Sequence, residues 1–448
     1  MNDFSSDAAN VASTRPRARL GLALLLYFHV FACCLSLVYV AEFYVGLQIA
    51  FFDTARLYAA ALNAALFSLV SVVFTFSRFS FGHFLGFYLY TLILGYLWLV
   101  EFSKFPYDHT IAAVSAFVSA LAFLVPALFV TAPIRQRFVL STRSLENLLS
   151  AIMIFAATVI VAGALYNFKM VGLAEMYAFR GELEFPAWLR YAIGVTSNAL
   201  LPFAFACFVA RGNRWRAAAV LLLMLLFYPI MLTKLALFAP FWLLFLALLS
   251  RFFDARVSVV LSLFFPILSG VILALLVRPG ALRIEQIVPY FGAINFRMIA
   301  FPSVALDFYS DFFSTHRLTY FCQILFLKPF VDCPYTEYLS VVMARTYQLG
   351  NLNASLFATE GIASVGPMLA PLPAFACGLV IALANRLSSG LPSKFIMLSG
   401  GILPQVFLNV PLATTLLTGG AATLFLLWYI TPRAMFEPEV GTQSATAP

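Results

Sequence analysis

Charge is what this sequence has least of. Of its 448 residues only 10% are Asp, Glu, Lys or Arg, while 63% are hydrophobic. A soluble globular domain carries roughly 25% charged residues. No soluble fold hides so much apolar surface, so the solvent this chain requires is lipid. Histidine is scarce as well. The four, at His29, His83, His109 and His316, form no pair at metal-ligand spacing, and no Cys-x-x-Cys occurs, which argues against a bound metal. A Gly-rich loop ending in Lys-Ser/Thr is also missing, which excludes an ATP-driven motor of that type. Internal repeats and low-complexity segments are absent, and no small-residue cleavage site follows the first apolar run, so residues 20–41 read as a retained helix.

What is present is a succession of apolar runs, each able to cross a hydrocarbon core of ~30 Å. They fall at 20–41, 57–76, 82–102, 110–131, 147–168, 189–210, 217–232, 235–250, 257–277, 367–385, 395–411 and 412–430. The expected fold is an all-α integral membrane protein of about 12 transmembrane helices. Residues 1–19 form a first tail, 20–277 nine spans with short loops, 278–366 a large helical outer loop, 367–430 three spans and 431–448 a second tail. Segment 217–250 holds one charge, Lys234, between Pro229 and Pro240. Basic loops flank it on both sides, so it reads as a two-armed hairpin with a broken tip. The pair 395–430 reads the same way, with Asn409 and Pro411 near its tip.

A formal charge of +8 suggests nucleic acid, but its distribution points elsewhere. Basic residues cluster at Arg15, Arg17 and Arg19; Arg78; Arg135, Arg137 and Arg143; Arg211, Arg214 and Arg216; Arg251 and Arg256; Arg386 and Lys394; and Arg433. These segments hold 15 of the 27 basic residues and six of the 19 acidic ones, leaving the rest of the chain near neutrality. That is the positive-inside pattern. It predicts cytoplasmic termini, a lipid environment and no nucleic-acid partner.

The outer side then holds the residues able to do chemistry. Cys33, Cys34, Cys207 and Cys377 fall inside spans, whereas Cys322 and Cys333 share the outer loop, as a bridge or as two free thiols. Arg180 stands in MYAFR beside Tyr177, Arg297 in NFRMIAFP and Arg345 in MARTYQLG, with Arg283, Arg317 and Lys234 on the same side. One reading is a site for an anionic ligand, because a guanidinium forks onto phosphate. The other is local ion pairing to Glu182, Glu184, Asp307 and Asp311. As a set, with Lys234, the cations favour the phosphate site. Acid–base candidates are Glu182, Glu184, Asp307, Asp311, His316 and Glu360. Asp307 and Asp311 stand at i and i+4 and share a helix face. Asn351 and Asn353 could bond sugar hydroxyls or cap a helix.

Read together, MYAFR, LTKLALF, NFRMIAFP, LDFYSDFF and GNLNASLFATEGIASVGP resemble the Wzy-type O-antigen (oligosaccharide repeat unit) polymerases, from about Leu145 to the C-terminus. The Arg-x10-Gly pattern of some members matches no arginine here. The resemblance implies a GT-C-like architecture in a bacterial inner membrane. It implies a metal-independent, inverting glycosyltransferase without cofactor, which polymerises polyprenyl-pyrophosphate-linked oligosaccharides at the periplasmic face in lipopolysaccharide synthesis. A chain-length regulator protein is an implied partner. In that mechanism Arg180 and Arg297 stabilise the leaving phosphate. Lys234, Arg345, Tyr177, Asn351 and Asn353 bind substrate, and Glu360, His316 or Asp311 takes the acceptor proton. The alternatives are a ligase moving finished glycan to a lipid core, or a flippase. A metal-dependent transferase fits less well, because Glu42 and Asp53 are no adjacent acidic pair.

Overall fold

In lipid every backbone amide has to be satisfied within the chain, which leaves helices as the economical solution for apolar runs of this length. The computed structural model describes residues 16–44, 52–172, 175–176, 179, 183–324, 327–348 and 352–436. Among them the secondary structure is helical throughout, without a strand.

Eleven helices among the described residues are long and apolar enough to cross a membrane. They are α1 (Pro16–Phe43), α2 (Leu57–Phe76), α3 (Phe81–Phe102), α4 (His109–Phe129), α5 (Thr142–Tyr166), α6 (Ala187–Ala210), α7 (Arg214–Met231), α8 (Lys234–Phe252), α9 (Ala255–Val277), α10 (Ile284–Thr315) and α12 (Pro371–Ser388). Between the last two lies the short α11 (Leu339–Tyr347). Ten of the eleven coincide with predicted spans. The α7–α8 hairpin breaks at Leu232, whose φ is 48°, and Thr233 then caps α8.

Two expectations are corrected. The predicted spans 395–411 and 412–430 are four short pieces: α13 (Ser393–Ser399), α14 (Leu403–Phe407), α15 (Leu412–Leu417) and α16 (Ala421–Ile430). Gly400, Gly401, Pro411 and the left-handed Gly420 interrupt them. Even the ten residues of α16 rise only about 15 Å. Conversely, the predicted loop 278–366 does not start as short amphipathic helices. It holds the 32-residue α10, continuous through a π-helical stretch at Gly292–Ala300.

Nearly all of α3 is buried, and α1, α2, α4, α9, α10 and α12 pack against it. His29 of α1 bonds Thr91 at 2.9 Å and faces Phe87, and Tyr88 bonds Ser262 of α9 at 2.8 Å. Arg278, just past α9, pairs with Glu42 near the end of α1 at 3.5 Å, so these two helices finish at one end of the bundle. Helix α10 is laid across that end. Phe291 packs on Phe43, while Asp307 bonds Ser103, just beyond α3. Between these points Asn295 reaches Ser36 at 2.9 Å, and Ser303 reaches the Leu92 carbonyl at 2.8 Å. The arginines of the basic clusters gather at the opposite end. Arg211 and Arg216 flank Glu146, Arg256 points to the Thr75 and Ser77 carbonyls, and Arg433 donates to the Trp428 and Leu387 carbonyls.

At that basic end one side chain joins three helices. Asn385 of α12 accepts from the Gly82 N–H at 2.7 Å and donates to the Ala127 carbonyl at 2.7 Å. The first group is an orphan donor of the α3 start, the second an orphan acceptor of the α4 end. Gly82 has no room for a side chain, since a Cβ there would lie 1.9 Å from the Ala127 oxygen. At the other end, Cys322 and Cys333 form a disulfide with a Cα–Cα distance of 5.3 Å, which decides between the two readings of this pair.

Asn385→Leu, of similar volume, leaves both backbone groups buried without partners. The expected loss is about 2–6 kcal/mol, at about 1–3 kcal/mol for each group. Thermal unfolding in detergent measures it, and an unchanged midpoint would contradict the double-cap role. For the disulfide, non-reducing mass spectrometry should return the Cys322 and Cys333 peptides linked. Its loss should cost roughly 3 kcal/mol in the chain-entropy account.

Candidate functional site

The end covered by α10 brings two carboxylates together with two phenols. Asp307 and Asp311 lie one turn apart on α10, as their spacing predicts. Asp307 is 5% exposed and accepts from Ser103 Oγ at 3.0 Å and from the Tyr107 hydroxyl. The Tyr107 oxygen in turn lies 3.3 Å from that of Tyr96, which reaches Ser310 Oγ at 3.4 Å. Asp311 is half-buried and accepts from the Tyr347 hydroxyl of α11 at 2.6 Å. Phe105, Phe308 and Tyr347 pack edge to face beneath this pair.

Burial, then the adjacent Tyr96 and Asp307, push the Tyr107 phenol well above its usual range. Burial, then the bond to Asp311, does the same at Tyr347. Both phenols therefore stay protonated and donate to the carboxylates. A carboxylate held this way can accept a proton from a sugar hydroxyl, and the rings offer apolar faces to a sugar.

Arg297 stands ten residues before Asp307 on the same helix, about 15 Å along its axis. Its half-buried guanidinium lies 4.5 Å from the Phe301 ring centre and 5.8 Å from that of Phe296. These are cation–π contacts, which hold the guanidinium against the two rings.

The other predicted site residues divide among several places. Arg345 pairs locally with Glu337 at 2.7 Å, the ion-pair reading of that arginine, although its partner is not among the carboxylates expected. His316 caps α10, stacked 3.9 Å from Phe312, its Nδ1 2.9 Å from the Phe312 carbonyl oxygen. Glu360 lies apart, in the π-helical turn Phe357–Ile362, 7% exposed. It accepts from the Thr359 hydroxyl at 2.6 Å and from the N–H groups of Ala413 and Leu412. Burial still pushes its carboxyl above the usual carboxylate range. Lys234 opens α8 at the hairpin tip, half-buried, and Asn353, Glu184, Arg283 and Arg317 are exposed. Arg180, Tyr177, Asn351 and Glu182 lie outside the described residues.

Sequence reasoning missed Ser103, Tyr107, Tyr96 and Tyr347. The available signal was a polar, aromatic SKFPYDH loop between two apolar spans, and a tyrosine two residues beyond Arg345. No group of three His, Cys, Asp or Glu able to hold a metal occurs among the described residues. Compared with known proteins, the chain matches no family model, no curated protein and no solved structure.

Proposed function

We propose that this chain is a glycosyltransferase of the repeat-unit polymerase type. It joins polyprenyl-pyrophosphate-linked oligosaccharides at the end of the bundle covered by α10. The observation that carries this reading is α10 itself. One helix of mostly apolar character presents a half-buried arginine against Phe301 and, further along, the Asp307–Asp311 pair held by Tyr107 and Tyr347. These groups lie away from the basic clusters, so the positive-inside rule makes their end the periplasmic one. The disulfide at Cys322–Cys333 suits the same oxidising side.

In the reaction, the acceptor hydroxyl of one repeat unit attacks the anomeric carbon of another while the bond to pyrophosphate breaks. The hydroxyl proton passes to a carboxylate, the electron pair leaves on the phosphate, and the anomeric centre inverts. Arg297 stabilises the charge gained by the phosphate, a fixed cation acting where charge develops. Asp311 is the preferred proton acceptor. It is more open than Asp307, and Glu360 already has its oxygens held by Thr359, Leu412 and Ala413. Arg297 and Asp311 stand fourteen residues apart, about 21 Å along the helix. A single displacement needs base and leaving group on opposite faces of the sugar, so the two sugar units being joined would lie between them. Glu360 acts as a positioning residue, joining the 357–362 turn to the start of α15. Arg180 would be the second phosphate ligand, and the glycan chain would leave toward a chain-length regulator.

The test is polymer growth by the purified protein from lipid-linked repeat units with chelator present. Arg297→Ala should lower turnover by about 10²–10³-fold. Arg297→Lys should be nearly as damaging, because the planar fork is lost with the charge kept. Asp311→Asn should lower turnover by about 10²–10⁴-fold while donor still binds. Wild-type polymer from both Arg297→Ala and Asp311→Asn, or no polymer from the wild-type protein, would reject the proposal.

A further inference from the structure

At the basic end, the connection between α4 and α5, residues 130–141, has no helix yet is closely held. Its Ile134 N–H donates to the Arg386 carbonyl at 3.3 Å, and Arg386 Nε returns a bond to the Ala132 carbonyl at 3.1 Å. Gln136 donates to the Tyr429 and Thr431 carbonyls, the Arg137 N–H to the Tyr429 hydroxyl at 2.8 Å, and the Leu140 N–H to the Ile430 carbonyl at 2.9 Å. The loop is thus fixed in an extended form against α12 and α16.

Several arginines of this end are answered within the protein. Arg211 and Arg216 are answered by Glu146, and Arg256 and Arg433 by carbonyls. Among the described residues neither Arg135 nor Arg137 is in an ion pair. Both are exposed, and with Ile134 and Gln136 they line an open cavity of about 530 Å³. Directly beyond it Phe138 and Val139 are 74% and 52% exposed. Two unanswered guanidinium groups, a cavity and two adjacent apolar side chains form a surface that is anionic-seeking on one side and acyl-seeking on the other.

We propose that residues 134–139 bind the headgroup of an anionic phospholipid. Arg135 and Arg137 take its phosphate oxygens, Gln136 and Ile134 line the headgroup cavity, and Phe138 and Val139 sit among the acyl chains. The neighbouring Phe138 and Val139 select a lipid over free phosphate, since a soluble anion gains nothing from them. The proposal stands independently of the catalytic reading.

The experiment uses the full chain in nanodiscs of phosphatidylcholine with or without phosphatidylglycerol, and native mass spectrometry of the lipids retained on release. Wild-type protein should retain phosphatidylglycerol selectively. Arg135→Ala with Arg137→Ala should weaken that retention by roughly thirtyfold, about fivefold for each charge near an anionic surface. Arg251→Ala, which removes one exposed cation at the end of α8, should change it by no more than about fivefold. Hydrogen exchange of amides 134–140 in the wild-type protein should slow in phosphatidylglycerol relative to phosphatidylcholine, a readout that needs no variant to fold. Equal retention by the double variant, an equal loss in Arg251→Ala, displacement by inorganic phosphate, or unchanged exchange would each overturn the proposal.

Discussion

Asn385 satisfies at one point a problem that the whole molecule faces. Helix ends expose backbone groups with no intrahelical partner, and a crowded helical bundle offers little water to replace one. A single amide side chain, donor and acceptor at once, closes the start of α3 and the end of α4. That double use requires the two helix ends to touch, which is why Gly82 has no side chain. Gly378 of α12 makes the same concession further along, where a Cβ would meet the Phe123 carbonyl at 2.5 Å. Small residues allow the close approach, and one polar side chain fixes its register. The junction fixes the start of α3 against α4 and α12.

The two ends of the bundle use polar chemistry in opposite ways. At the basic end, Arg211, Arg216, Arg256, Arg386 and Arg433 are turned onto carbonyls and one glutamate, and burial lowers Arg433 to about 10. At the other end, Asp307 and Asp311 are answered by two phenols and a hydroxyl. A phenol steadies a carboxylate without neutralising it, so the acid retains its capacity to accept a proton. Arg297 is steadied differently, by the rings of Phe296 and Phe301. A site made from groups that hold one another without cancelling is suited to acting on something else.

Much of the architecture was legible because a span is a matter of length, and length survives any rearrangement of packing. Ten helices could be placed from apolar runs alone. The failures have a common cause. Composition across 395–430 is apolar enough for two spans, but Gly400, Gly401, Pro411 and Gly420 act locally, through a missing side chain or a missing N–H. In α10 the reverse held. Arg297 and Asp307 made the segment look aqueous, whereas in the structure each has aromatic or hydroxyl company. For the site, the i, i+4 spacing of Asp307 and Asp311 was readable because it is local. The Tyr107–Asp307 and Tyr347–Asp311 bonds join residues 200 and 36 positions apart, and only the folded chain brings them together. Arg345 was the opposite case: its partner Glu337 lay eight residues away, close enough for the bland pairing to prevail.

The long reach of Asn385 also has a consequence in time. Ala127 waits for a partner 258 residues further on, and a ribosome adding ~5–20 residues per second delivers it roughly 15–50 s later. The loop after α4 waits longer still, since Tyr429, which accepts from the Arg137 N–H, lies 292 residues further on. The junction of α3 and α4 is therefore completed only after α12 has been made, although the first helices already meet one another directly. Truncation late in the chain should then act on the earliest helices as much as on the last.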